Sequence, residues 1–178
     1  MANKGKYYES QFEEATIELL REAHWQYTLG DDIHRKYTDP LIEEDLRNFL
    51  AVQYKDKNLT TSEMDGIVAN LRNTGGQNDY YALRNAFLLY RDGYDFAYSD
   101  SRDNPFRMEY IDFEHPDHNI FRCVNQFVMG QGRENRRPDI LLFINGIPVC
   151  IIELKNPTKQ NATIRDAHTQ ICTRYMRD

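Results

Sequence analysis

Cysteines are few, long apolar runs are missing, and basic residues are outnumbered by acidic ones in this 178-residue chain. Its three cysteines, Cys123, Cys150 and Cys172, are an odd and widely spaced set. They fit reduced thiols better than a disulfide framework or a zinc knuckle. No apolar run approaches the roughly twenty residues that a membrane-spanning helix needs. The opening Met1-Ala-Asn-Lys-Gly-Lys-Tyr-Tyr8 has no apolar stretch of the kind a secretory leader carries. The expectation is a cytoplasmic protein with no membrane partner. No Gly-x-x-x-x-Gly-Lys-Ser/Thr loop occurs, which argues against an ATPase within these residues. Internal repeats and low-complexity segments are also missing.

Lys and Arg number 22 against 28 Asp and Glu, for a net charge of −6. As a whole, such a chain is a poor partner for a polyanion. The charge is unevenly spread, however. Residues 1–130 hold 14 basic against 23 acidic side chains, and residues 131–178 hold 8 against 5, so the balance moves from −9 to +3.

The basic end contains the most informative stretch, Arg137-Pro-Asp-Ile-Leu-Leu-Phe-Ile-Asn-Gly-Ile-Pro-Val-Cys-Ile-Ile-Glu-Leu-Lys155. Ile140 to Ile144 and Ile147 to Ile152 read as strands buried on both faces. Asn145-Gly146 between them is a strong hairpin signal. Folding there brings Asp139 beside Glu153, and strand alternation sends Lys155 to the same face as Glu153. A strict two-residue turn would pair position 139 with 152 and point Glu153 to the opposite face. A three-residue loop with Gly146 left-handed, or a bulge near the site, is therefore expected.

Two carboxylates and an ammonium at one end of an apolar hairpin suit a divalent cation and a water molecule. Mg²⁺ takes oxygen ligands and is commonly held by one or two carboxylates while keeping several waters. A bound metal makes water a usable nucleophile near neutral pH and stabilises charge on a phosphoryl oxygen. Lys155 would orient or deprotonate that water, or stabilise the pentavalent phosphate. The plainer alternative is an Asp139–Lys155 salt bridge at a sheet end; the preceding proline, the apolar hairpin and the matched strand ends favour the cation.

Pro138-Asp139 followed by Glu153-Leu-Lys155 resembles the PD-(D/E)xK nuclease motif. More narrowly, the run from Arg136 to Pro157 resembles the amino-terminal nuclease domain of type I restriction endonuclease R subunits. The likeness extends upstream through Asp112-Phe113, Asn119 to Phe127 and Phe12 to Leu20, and downstream to Gln170 and Tyr175. It implies that Asp139 and Glu153 ligate Mg²⁺ (Mn²⁺ as substitute), with the Leu154 backbone carbonyl as a further ligand and Lys155 as the catalytic lysine. Glu13 would be an accessory acid, placed better than Glu9 or Glu14. Gln170 and Tyr175 would support DNA binding or the lysine. The partners implied are double-stranded DNA and the modification and specificity subunits, and ATP would serve only motor domains missing from this chain. On that reading Arg133, Arg136, Arg137, Lys159 and Arg174 line a locally attractive DNA cleft, together with Arg165.

The expected architecture is an α/β, restriction-endonuclease-like domain over residues 1–178: a mixed central β-sheet flanked by helices, with a helical insert before the sheet. Residues 8–24 read as an amphipathic helix with Phe12, Thr16, Leu19, Leu20 and Ala23 on one side. The insert covers about 39–92. Asp39-Pro40 serves as a helix start, Thr60-x-x-Glu63 as a capping box, and Gly75 and Gly93 as helix ends. Strands are expected near 94–99, 106–113, 121–129, 139–145 and 147–154, and a last helix near 162–176. The chain is expected to be a fragment of a longer protein, with an unprotected sheet edge able to pair with a second copy in a crystal. His115-Pro-Asp-His118 reads as a turn rather than a zinc site, which needs more ligands. Two other functions compete with the Mg²⁺-dependent endonuclease: a non-catalytic docking domain of the same complex, and a PD-(D/E)xK nuclease of recombination or repair.

Overall fold

A computed structural model describes residues 9–130, 135–155 and 164–175, with the backbone alone for 174 and 175. The chain separates into two compact units. One contains residues up to Pro40 together with Phe121–Phe143 and the chain from Ile147 onward; the other contains Leu41–Ile120 and Ile144–Gly146. The fold is mixed α/β, as expected.

The first unit opens with α1 (Glu9–Glu22) and β1 (Gln26–Leu29). It continues with β4 (Phe121–Asn125), β5 (Ile140–Ile144), β6 (Ile147–Ile152) and α5 (Ile164–Gln170), whose last turn runs into a π-helical segment, Ile171–Tyr175. Its sheet has the order β1-β4-β5-β6. β1 lies parallel to β4, from Gln26 opposite Arg122 to Leu29 opposite Asn125. β5 and β6 form the hairpin, so the sheet is mixed.

Helix α1 ends where His24 turns left-handed at φ 66°. The N–H of Trp25 then bonds back to the Leu20 carbonyl at 2.9 Å, a Schellman-type closure. The buried face of the helix overlaps the expected one in part: Phe12, Thr16 and Leu20 are half-buried, but the fully buried residue is Ile17, outside the expected set. Ile17 is buried with Cys123 and Ile140, and Leu20, Trp25, Tyr27, Leu142, Ile152 and Leu154 pack around them. Leu19 is 66% exposed, and Ala23 is exposed. The reason is spacing: Glu13, Ile17 and Leu20 follow one another at i, i+4 and i+7, which sets one stripe along the sheet. The opposite face of the sheet buries Val124, Phe127, Leu141 and Phe143, with the two phenyl rings 5.0 Å apart. β5 is thus covered on both faces, as its unbroken apolar run requires. β6 is not: Val149 is 42% exposed and Cys150 is exposed, because β6 is an edge strand among the described residues.

The second unit holds α2 (Glu43–Gln53), α3 (Thr61–Arg72), α4 (Asp79–Asp92), β2 (Tyr94–Phe96) and β3 (Phe106–Met108). β2 and β3 pair antiparallel as a separate two-stranded sheet. Leu46, Leu50, Ile67, Val68, Met108 and Tyr110 form its buried interior. The capping box at α3 is present, with Thr60 accepting from the Glu63 N–H and Glu63 accepting from the Thr60 N–H. Gly93 ends α4 at φ 64°. Several expected boundaries move: α2 starts at Glu43 rather than at Pro40, α3 ends at Arg72, before Gly75, and β2, β3 and β4 stop at Phe96, Met108 and Asn125, short of the expected 99, 113 and 129. No helix among the described residues is long and apolar enough to cross a membrane.

Candidate active site

Asn145 and Gly146 both adopt positive φ, 50° and 75°, and they alone separate β5 from β6. This is a two-residue type I′ turn, so the expected three-residue loop is not what joins the strands. Its glycine is required, since a Cβ at Gly146 would lie 2.1 Å from the Ile42 carbonyl oxygen.

The acidic groups approach one another by a different route. β6 stops at Ile152, so Glu153, Leu154 and Lys155 continue beyond the paired ladder and are released from strict alternation. Asp139 precedes the first residue of β5. Its Oδ2 accepts the Leu154 N–H at 2.7 Å, and its backbone carbonyl accepts the Gln126 N–H at 3.3 Å. Burial pushes the Asp139 carboxyl above the ordinary carboxylate range. The Leu154 N–H opposes that shift, the nearby negative charges of Glu153 and Glu13 add to it, and the Lys155 ammonium counters it.

The Glu153 side chain is only 1% exposed. Its Oε2 lies 3.5 Å from the Lys155 ammonium and accepts from the Gln170 side-chain amide at 2.8 Å, across 17 residues of chain. Glu13, one turn before the buried Ile17, takes two amide donors on Oε1: Asn125 at 3.0 Å and Gln126 at 3.2 Å. Ser10, Glu13, Glu14, Tyr27, Asn125 and Gln126 contribute to the walls of a cavity of about 450 Å³.

The structure therefore brings together Asp139, Glu153, Lys155, Glu13 and Gln170. Arg136 is half-buried and exchanges backbone bonds with Met129, while Arg137 and Arg165 are exposed. Arg133 and Lys159 lie outside the described residues, as do the side chains of Arg174 and Tyr175. Asn125 and Gln126, on Glu13 Oε1, join this group from outside the residues singled out in the sequence. The available signal was a pair of amides, Asn125-Gln126, closing an otherwise largely apolar strand just before Phe127.

This donor set fits a hard divalent cation. Carboxylate oxygens predominate, one of the carboxyls is held above its usual range partly by its acidic neighbours, and a cation would relieve that crowding. A second grouping is different in kind. Asp112, His115 and His118 bring potential ligand atoms within 4.8 Å of one another. Both Asp112 oxygens hold protein donors, with the Glu114 and His115 N–H groups on one and Gln53 on the other. The two imidazole rings stack 4.9 Å apart at 17°, and their Nδ1 atoms lie 3.0 Å (His118) and 3.7 Å (His115) from the same Asp112 Oδ2, so the carboxylate itself takes up the position they face. Asp112 acts there as the cap of a turn.

A mixed sheet whose hairpin carries Pro-Asp at one strand start and Glu-x-Lys beyond the other strand's end defines the class: an α/β protein of the PD-(D/E)xK pattern. The chain belongs to the family described as Type I restriction enzyme R protein N terminus, which it matches over residues 6–178. It is 29% identical over 175 residues to the Type I restriction enzyme HindI endonuclease subunit of Haemophilus influenzae, an alignment covering 93% of this chain and 16% of the relative. It is also 29% identical over 163 residues to the Putative type I restriction enzyme MjaIXP endonuclease subunit of Methanocaldococcus jannaschii, covering 87% and 16%. A shorter match, 39% over 72 residues, links it to the Putative type I restriction enzyme MjaVIIIP endonuclease subunit of the same organism, covering 40% of this chain and 7% of that relative. The chain thus spans about a sixth of the length of the first two relatives.

Proposed function

We propose that this chain is the nuclease domain of a type I restriction complex, hydrolysing phosphodiester bonds of double-stranded DNA with Mg²⁺. The observation that carries the reading is the meeting of Asp139, Glu153 and Lys155 around the open end of the hairpin, with Glu13 close enough to perturb Asp139. Asp139 and Glu153 would hold the ion, with the Leu154 carbonyl as a further ligand and Glu13 as an accessory acid. When bound, the ion would supply an activated water and stabilise charge on the phosphoryl oxygen.

The protein's own groups have distinct tasks. The Leu154 N–H fixes Asp139 Oδ2, leaving Oδ1 as the oxygen turned to a ligand. The Gln170 amide steadies Glu153, which keeps its carboxylate in one rotamer next to Lys155. Lys155, 23% exposed and 3.5 Å from Glu153, would hold or move a proton at the nucleophile, or stabilise the crowded phosphate. Arg133, Arg136, Arg137, Lys159 and Arg174 would track the DNA backbone, in a region whose charge balance is positive. Sequence recognition would belong to the modification and specificity subunits, and ATP to motor domains of the longer protein.

A calorimetric Mn²⁺ titration of the chain, run beside Asp139→Asn and Lys155→Ala, tests this. The expected result is binding in the parent, its loss in Asp139→Asn and its survival in Lys155→Ala. Absence of binding in the parent would favour a docking domain instead.

A further inference from the structure

We infer that Gln126, together with Asn125, is the positioning residue that holds Glu13 against Asp139. The inference rests on the proposed cation site and adds to it a residue pair that neither metal nor DNA need touch.

Glu13 and Asp139 come from segments far apart in the chain, and Gln126 bonds to both. Its backbone N–H donates to the Asp139 carbonyl at 3.3 Å, and its side-chain amide donates to Glu13 Oε1 at 3.2 Å. Asn125 donates to the same Glu13 oxygen at 3.0 Å. The orientation of the Asn125 amide follows from its other end, where Oδ1 accepts the Tyr27 hydroxyl at 3.0 Å.

Two consecutive residues of an extended strand send their side chains to opposite faces of the sheet. They cannot both reach one carboxylate oxygen. Here they do, because Gln126 leaves the strand at φ 58°, in the left-handed region. That conformation is uncommon for a residue other than glycine, asparagine or aspartate, and such residues cluster at functional sites. The neighbouring chain makes room for it. A Cβ at Gly30 would lie 2.5 Å from the Gln126 carbonyl oxygen and 2.9 Å from the Phe127 Cα. The glycine that follows β1 thus admits the kinked peptide, and the kink turns both amides onto Glu13.

The consequence is specific. Glu13 Oε1 is engaged by two amide donors, so any cation ligation by Glu13 falls to Oε2. The same peptide that fixes this carboxylate also fixes the backbone of Asp139. Displacing Gln126 should therefore loosen both acids together.

The test uses Gln126→Met, which keeps length but removes the donors, and Gln126→Asn, which tolerates the left-handed backbone but falls short of Glu13. Mn²⁺ affinity should drop on the order of tenfold or more in Gln126→Met, in the range typical of groups that orient a metal's ligands, with an unchanged melting temperature. Where Gln126→Met does not fold, Gln126→Asn should show the same loss. Equal affinity in parent and folded variant would overturn the inference. A second readout needs no metal: the side-chain amide resonances of Asn125 and Gln126 should both shift in Glu13→Gln. A parent that binds no Mn²⁺ would defeat the proposed function, and the amide shifts would then decide the anchoring by themselves. Unmoved amide resonances would overturn it in every case.

Discussion

Asn145→Ala should be among the most damaging single substitutions in this chain. Asn145 is fully buried in the hairpin turn at φ 50°. Its Oδ1 accepts the Ile120 N–H at 2.7 Å, and its amide donates to the Tyr110 carbonyl at 2.9 Å and to Asn119 Oδ1 at 2.8 Å. Truncation leaves Asn119 Oδ1 with the Asp112 N–H at 2.9 Å, so that oxygen keeps a partner. The Ile120 N–H and the Tyr110 carbonyl lose these bonds, and a buried polar group left unsatisfied costs about 1–3 kcal/mol. Alanine at positive φ adds about 1–2 kcal/mol. The sum, roughly 3–8 kcal/mol, rivals the about 5–15 kcal/mol by which a typical protein is stable. Urea unfolding followed by circular dichroism, with Asn145→Gly alongside, separates the contributions. Glycine should recover the backbone part, about 1–2 kcal/mol, and leave the hydrogen-bond loss. An alanine variant within about 1 kcal/mol of the parent would refute the reasoning, and a glycine variant no better than alanine would remove its backbone component.

Other perturbations have equally definite outcomes. Gly30→Ala would drive a methyl group into the Gln126 peptide; it should destabilise by about 1–3 kcal/mol or more and weaken Mn²⁺ binding in calorimetry. Arg102, the Thr60 N–H and hydroxyl, and Ser99 hold the Glu63 carboxyl down to about 2. Because that pKa is depressed on folding, the stability it contributes is full above the ordinary carboxylate range and is lost as pH falls toward about 2. Melting temperatures at pH 6 and pH 2.5 should therefore differ less in Glu63→Gln than in the parent. Arg137→Ala should lower affinity for a short duplex alike across sequences and reduce the slope of log K against log salt by about 1; an unchanged slope would place Arg137 off the DNA path.

Much of the candidate site was legible because its signals are local. Asn-Gly between two apolar runs names the turn, and Pro-Asp with Glu-x-Lys marks the two strand ends. A two-residue turn conflicts with a face shared by Asp139 and Glu153, and the structure resolves the conflict beyond the ladder, since β6 ends at Ile152, before Glu153. Long-range features were less legible. β1 is four residues long and its partner β4 lies more than ninety positions away, so no nearby pattern announces it. The buried side of α1 was legible in part, at Phe12, Thr16 and Leu20; Leu19 and Ile17 are both apolar, and only the sheet decides which one turns inward. Gln126 was missed for a related reason: its left-handed backbone depends on the space beside Gly30, a contact between distant segments.

The hairpin turn also bears on how such a chain can be altered. At one end of the 41–120 segment, the Ile42 N–H bonds to the Gly146 carbonyl at 2.9 Å; at the other, the Asn145 N–H bonds to the Ile120 carbonyl at 2.8 Å. Both ends of a stretch of about eighty residues are thus tethered to two adjacent residues. A segment whose entrance and exit lie side by side can be lengthened or exchanged in its interior as a cassette, because such changes leave the two tethers in place. The Asn-Gly turn is the clasp of that cassette, so a change of length within the segment leaves the turn its partners as long as Ile42, Tyr110, Asn119 and Ile120 are kept.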